Sequence, residues 1–360
     1  MTAATAPRVS VVMAVHDGEP YLRTAIESLL AQTYRDFELI VIDDGSTDGS
    51  ASIVRACADP RIRLLSNDRN IGLAPSLNRG LAEARGEFIA RLDADDVAMP
   101  DRLARQVAFM DANPKVALLG SWYVEISASG APLARRRLPT EHWDLRWHLC
   151  VTCPFVHSAV LWRRRVVAER VGRYDETIGY GEDYDLWNRL AARLTVATLP
   201  AYLVRHRLHA SSMTSTHGPR ERAGVRLRVA TAARLLGWPV GEDENEDRLR
   251  RLYELLVGTP RGRTQRELLD SAAELLRLQQ AFAVQAAMPT DVAARQRARL
   301  RRHLARRLLR ASRLAPKADG GRGAGRELLR TVLELAPSAV LSADALGAGL
   351  TMAARALGRR

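Results

Sequence analysis

At 360 residues the chain exceeds one average domain, so a large core domain plus an extension is expected. Its net charge of +13 divides unevenly. Residues 1–217 hold 26 basic and 26 acidic side chains, leaving 54 − 26 = 28 basic against 41 − 26 = 15 acidic in 218–360. A neutral N-terminal part with a basic tail argues against a uniformly basic nucleic-acid binder, and suggests a small-molecule enzyme with a separate contact to an anionic surface. Three cysteines (Cys57, Cys150, Cys153) make no disulfide framework for a chain this long. No apolar run of membrane-spanning length and no signal-peptide pattern occurs, so the expected placement is cytoplasmic, either soluble or peripheral at the inner face of the membrane.

VSVVMAV (Val9–Val15) is short, β-branched and apolar, the pattern of a strand buried on both faces. Tyr21, Leu22, Ile26, Leu29 and Leu30 then recur at helical spacing, with Pro20 in the first turn. Glu38–Asp43, Arg61–Ser66 and Glu87–Asp93 read as further strands, with helices near 47–58 and 74–85 between them. This alternation predicts an α/β fold with a mostly parallel sheet and helices on both faces, whose ligands sit at the carboxyl ends of the strands. Next come a helix over Asp101–Ala112, a strand over Val116–Gly120, a mixed aromatic and histidine region, and a helix over Asp183–Arg193. Beyond Pro219 the chain turns to Leu, Ala and Arg, which sets a boundary near 215–220. The remainder reads as helical, broken at Gly258-Thr259-Pro260 and over Asp319–Gly325.

Two strand ends carry acids. The second ends in Asp43-Asp44-Gly45-Ser46, where Asp44 could accept hydrogen bonds from a base or ribose, or simply belong to a capped turn. The fourth ends in Asp93-Ala94-Asp95-Asp96, whose crowded carboxylates call either for a cation such as Mg2+ or Mn2+ or for solvation as a helix-capping turn. No G-x-G-x-x-G and no Walker lysine is present, so the pair of acidic loops points to a metal-assisted nucleotide-diphosphate site.

These segments together with NIGLAPSLNRG and GEFIARLDADDVAMPDRL resemble the N-terminal half of the family 2 glycosyltransferases. PFVHSAVLWRR, GRYDETIGYGEDYDLWNRL and the Arg207-Leu208-His209 segment are similar to that family's acceptor side. The resemblance covers about residues 8–215. It implies the GT-A fold, a Rossmann-like sheet, with a nucleotide-binding half over about 8–100, an acceptor half over about 101–215, and a helical extension over 218–360. It also implies inverting, single-sugar transfer from a UDP- or dTDP-sugar to a glycan or lipid-linked hydroxyl, since the QxxRW signature of processive synthases is absent.

Residue by residue, the resemblance assigns Asp183 as catalytic base, with Glu182 the weaker candidate. It puts His16, Asp44, Asp93, Asp95 and Asp96 at the nucleotide-sugar, Asp95 first, then Asp93 and His209, at the metal, and His157 and Arg207 on the acceptor or diphosphate side. His16-Asp17 replaces the family's common Tyr-Asn, and Asp17 adds negative charge near a phosphate-bearing ligand. His148, Cys150, Cys153 and His157 have zinc-like spacing but lack a second, distant half. In 291–315, nine arginines flank a stripe of Leu300, Leu304 and Leu308, read either as a helix packed on its own protein or as a peripheral contact with anionic membrane; nucleic acid ranks behind both. The competing functions are a sugar-1-phosphate nucleotidyltransferase, and a scaffold acting through its basic helices.

Overall fold

A computed structural model of the chain describes residues 6–210, 212, 229–230, 232–233, 235, 237, 242–257, 263–311 and 322–336. Two compact units emerge: Met1–Leu149 with Cys153–Gly224, and Cys150–Thr152 with Val225–Arg360.

The first unit is built on β1 (Val9–Val15), β2 (Phe37–Asp43), β3 (Ile62–Ser66) and β4 (Phe88–Arg91), all parallel and ordered β3-β2-β1-β4. Every residue of β2 and β4 is buried, which explains why these strands read as unbroken apolar runs. On one face, Val11, Met13, Leu39, Val41 and Ala90 pack with Leu22, Ile26 and Leu29 of α1 (Glu19–Leu30) and with Leu103, Val107 and Met110 of α4 (Arg102–Ala112). α2 (Ser50–Ala56) and α3 (Leu73–Glu83) complete the crossovers. On the opposite face α3 approaches closely through Gly80, where a Cβ would lie 2.6 Å from Ile42 Cδ1 and 2.7 Å from Val12 Cγ1.

The sheet continues past β4 as β8 (Leu161–Arg163), β6 (Val116–Ile126), β9 (Thr195–Arg207) and β5 (Val97–Ala98), with β7 (Pro132–Arg136) pairing β6. In this half only β6 and β9 are parallel. β6 runs six residues past the predicted Gly120, and β9, which follows the predicted helix Asp183–Arg193, was hidden by Pro200. The β6–β9 register shifts where Ser121 pairs Leu199 and Trp122 pairs Tyr202, so the proline sits at an irregularity where its missing N–H is tolerated. Short helices α5 (His142–His148) and α6 (Arg164–Arg170) precede α7 (Glu182–Arg193), which Gly181 opens in the left-handed region at φ 90°.

The second unit is helical where described: α8 (Glu242–Leu256), α9 (Gln265–Gln285), α10 (Thr290–Ala311) and α11 (Arg322–Leu335). Thr264 and Glu267 form a reciprocal capping box at the start of α9. Leu300, Leu304 and Leu308 of α10 are buried in a bundle with α8, α9 and α11. The apolar stripe of 291–311 is thus used for packing within the bundle. Several arginine-side groups also serve the bundle, since Arg307 Nε and Nη2 donate to Leu255 O at 3.0 Å and Glu254 O at 2.7 Å, and His303 Nε2 lies 2.7 Å from Leu256 O. These side chains satisfy the last carbonyls of α8, where the Arg307 charge is favoured, whereas burial lowers the His303 pKa. The predicted break at Gly258-Thr259-Pro260 and residues 312–315 lie outside the described residues. The Gly-rich stretch 319–325 does not break a helix throughout, because α11 already begins at Arg322.

Candidate active site

The carboxyl ends of β1 and β2 are clasped to each other. Asp17, in the left-handed region at φ 50°, accepts from Thr47 N at 2.8 Å and Asp48 N at 3.4 Å, while its own N–H donates to Ser46 Oγ at 3.0 Å. The Thr47 amide holds the Asp17 carboxyl below its usual range. The charge expected to disturb a phosphate therefore ties the 46–48 loop instead. His16 is partly exposed, with Nδ1 2.9 Å from Asp44 O. Asp44 is buried, and its carboxylate accepts from Asn67 Nδ2 at 2.7 Å, Ile71 N at 2.9 Å and Gly72 N at 2.9 Å. Three of its roughly four acceptor positions are thus spent on shaping the 67–72 loop.

The three acids after β4 have separate fates. Asp93 meets the Arg91 guanidinium and accepts from Ser158 Oγ at 2.7 Å. Burial works to raise its pKa, but Arg91, His157 and Ser158 outweigh burial and bring it down to about 2. Asp96 is fully buried, accepting from Arg207 N at 2.7 Å with His206 Nδ1 at 3.1 Å. That geometry corrects its expected place at the nucleotide-sugar: its carboxylate fastens β9 and has no surface to offer a ligand. Burial opposes a charge on His206, yet the Asp96 carboxylate raises its pKa to about 9. Asp95 is pushed upward, to about 6, by burial and by the charges of Asp96 and Asp93. Its Oδ2 lies 2.9 Å from His209 Nε2, with side-chain exposures of 29% and 11%.

Arg207 was expected to meet diphosphate, and the structure turns it inward. It is buried, its Nε donates to Asp95 O at 2.8 Å and its Nη1 to Ala128 O at 2.8 Å, and its guanidinium lies 4.6 Å from the Tyr21 ring centre. Tyr21 also packs on His209, with centroids 4.8 Å apart. Arg207 and Tyr21 together hold the Asp95–His209 pair in place.

Beneath the acid loop lie two guanidiniums, Arg91 at 1% and Arg102 at 0% exposure. Arg91 also donates to Val12 O and Leu92 O, whereas Arg102 Nη2 reaches Arg91 O at 2.8 Å and Val160 O at 3.2 Å. Burial lowers the Arg102 pKa to about 9. Buried carboxylates and buried cations compensate one another here.

On the acceptor side, half-buried His157 places Nε2 2.7 Å from Tyr174 OH. Burial and Arg91 lower its pKa to about 3, so the ring is neutral near pH 7. Tyr174 is buried and its pKa is raised by burial, with Glu182, Asp183 and Asp93 adding negative field. Glu182 is buried, its pKa raised to about 7 by burial and by Asp183. Asp183 is half-buried in the first turn of α7, and its Oδ1 accepts from Tyr184 N at 2.6 Å. Cys153 Sγ donates to Phe155 O at 3.2 Å. Among the described residues no three His, Cys, Asp or Glu side chains converge on a common point.

Sequence reasoning missed Arg91, Arg102, Ser158, Tyr174 and His206. Only Arg91 carried a signal, as a lone charge inside an otherwise apolar run with no exposed face.

A model of glycosyl transferase family 2 matches residues 10–170. The chain is 32% identical over 222 residues to an uncharacterized glycosyltransferase of Haemophilus influenzae, covering 59% of this chain and 68% of that one. It is 30% identical over 215 residues to the amylovoran biosynthesis glycosyltransferase AmsE of Erwinia amylovora, covering 58% and 79%. Staphylococcus aureus TarS 1–349, solved in complex with UDP-GlcNAc, superposes with a TM-score of 0.53 at 16% identity, over 92% of this chain and 91% of that one. At that identity the likeness shows the fold, the GT-A architecture. The chain belongs to glycosyl transferase family 2 and is a glycosyltransferase.

Proposed function

We propose that the chain is an inverting, non-processive enzyme that moves one sugar from a UDP- or dTDP-sugar to a hydroxyl of a glycan or lipid-linked acceptor. The observation that carries the reading is the pairing within the acid loop: Asp93 meets Arg91 and Asp96 meets His206, whereas Asp95, as exposed as Asp93 at 29%, has no cation from the sheet among the described residues and faces His209. Asp95 Oδ2 and His209 Nε2 suit Mg2+ or Mn2+, which typically take one or two protein ligands and complete their shell with phosphate and water. A bound cation would supply positive charge to the departing diphosphate.

Asp183 takes the acceptor hydroxyl's proton while that oxygen attacks the anomeric carbon and the bond to diphosphate breaks, its electron pair leaving with the diphosphate. The start of α7 favours the Asp183 carboxylate through its unpaired N–H groups. Glu182, buried beside it, is the weaker candidate for the base. His157, hydrogen-bonded to Tyr174, lies on the acceptor side in this reading. In this reading residues 1–217 carry the chemistry, 218–360 is a helical extension, and the enzyme works on the cytoplasmic side, where nucleotide-sugars are available. Relatives named for amylovoran and succinoglycan biosynthesis support a cell-surface polysaccharide as the pathway product.

The test is a thermal-shift and transfer assay with UDP- and dTDP-sugars and Mn2+. Asp95→Asn is expected to lose the metal-dependent part of the shift and most transfer. Asp183→Asn is expected to keep donor binding and lose transfer by about a hundredfold or more. Full activity in either variant would overturn the assigned roles, and release of pyrophosphate rather than nucleoside diphosphate would favour a nucleotidyltransferase.

A further inference from the structure

The β6–β7 hairpin bears a cationic face that the catalytic site does not use. Arg136, the last residue of β7, pairs with Glu125 at 2.7 Å, whereas Arg135 and Arg137 on either side of it both reach the Trp122–Tyr202 pair. Arg137 lies 5.3 Å from the Trp122 ring centre and its Nε donates to Tyr202 OH at 3.1 Å, while Arg135 lies 5.4 Å from the Tyr202 ring centre. Trp122 and Tyr202 are themselves in contact at 5.4 Å, and Trp122 Nε1 is fixed by Leu138 O at 2.9 Å. Both arginines are exposed, and neither has a carboxylate partner among the described residues.

Protection of an edge strand requires charge but no stacking. Here each guanidinium lies over an aromatic ring, which reduces the freedom it loses on binding and leaves Nη groups to meet a planar oxyanion. We propose that Arg135 and Arg137 on their Trp122–Tyr202 platform form a binding site for an acidic glycan, taken up through its carboxylates. Nucleic acid is disfavoured because the arginines already cover the aromatic faces a base would stack on. Lipid is disfavoured because Leu133 is the one large apolar side chain the hairpin exposes among the described residues. Tyr202 and His206 are four residues apart on β9, roughly 13 Å at strand rise, so an oligosaccharide held on the platform can extend toward the acid loop. That this glycan is the acceptor rests on the glycosyl-transfer reading; the binding itself does not.

The probe is an oligogalacturonate, titrated by calorimetry at fixed low ionic strength against a neutral dextran of equal length. Wild type is expected to bind the acidic oligomer and not the dextran. Arg135→Gln/Arg137→Gln should weaken binding about tenfold, whereas Arg302→Gln/Arg306→Gln, on the exposed side of α10, should leave it unchanged. Arg135→Lys/Arg137→Lys keeps charge without the planar fork and should recover part of the affinity, which separates lost contacts from lost fold. Equal binding by the glutamine pair, or equal weakening by the α10 pair, would overturn the proposal. So would a platform-dependent affinity for phosphatidylglycerol vesicles or single-stranded RNA that exceeds that for the glycan. Failure of nucleotide-sugars to shift the wild-type melting temperature would instead count against the catalytic reading and leave this result standing.

Discussion

Replacing Arg91 by Met removes the cation on which the acid loop rests. Arg91 is 1% exposed and meets the Asp93 carboxylate directly. Asp93 sits at about 2 rather than 3.8, close to two pKa units, or about 2.5 kcal/mol at 1.36 kcal/mol per unit. Because the folded pKa is depressed, this contribution is complete above the unfolded value near 3.8 and is lost as pH falls through about 2. Without the guanidinium, the largest opposition to burial at Asp93 is gone and chiefly Ser158 and His157 remain, so the total loss at pH 7 should reach about 3–5 kcal/mol, the usual cost of breaking a buried pair by removing one partner. Methionine fills much the same volume, so adding Asp93→Asn should return the protein to within about 1 kcal/mol of wild type. Urea unfolding followed by tryptophan fluorescence at pH 7 measures both. A loss under about 1 kcal/mol for the single variant, or no recovery in the double, would refute the compensation argument.

The His206–Asp96 pair has the opposite pH sense. With the histidine raised from 6.5 to about 9, its stabilisation is complete below the unfolded value and fades as pH climbs through about 9. The stability gap between wild type and His206→Gln should therefore narrow between pH 7 and 10, and a constant gap would contradict the pairing. Gly80→Ala should cost about 1–3 kcal/mol, because the added methyl would meet Ile42 and Val12 at under 3 Å; an unchanged melting temperature would show that α3 can move off the sheet.

The strands buried on both faces announced themselves: Val9–Val15 matches β1 end to end, because a strand with no solvent face must be apolar throughout. β9 and β7 were hidden for the converse reason. β9 alternates and contains Pro200, and β7 is an exposed edge of the sequence PLARR. Within the site, sequence could point to Asp93, Asp95, Asp96 and Asp183 as acids at element ends, but it could not divide their labour. The division depends on Arg91, Ser158 and His206, and the last two lie far along the chain from the acid they serve. Asp96 and Arg207 looked like ligand contacts by position and proved to be each other's supports, since fastening a strand and binding a phosphate call on the same donors and acceptors.

The place of β9 in the sheet has a consequence in time. It is the last strand of the first unit, yet it lies between β6 and β5, and Asp96 finds His206 110 residues after itself. During synthesis at roughly 5–20 residues per second, the acid loop would leave the ribosome about 5–20 seconds ahead of the strand that secures it. Through that interval β5 has no partner, and Asp95 and Asp96 lack the two histidines that later face them. The parallel β1–β4 core can consolidate first, whereas the surface around the acid loop must be a late product of folding.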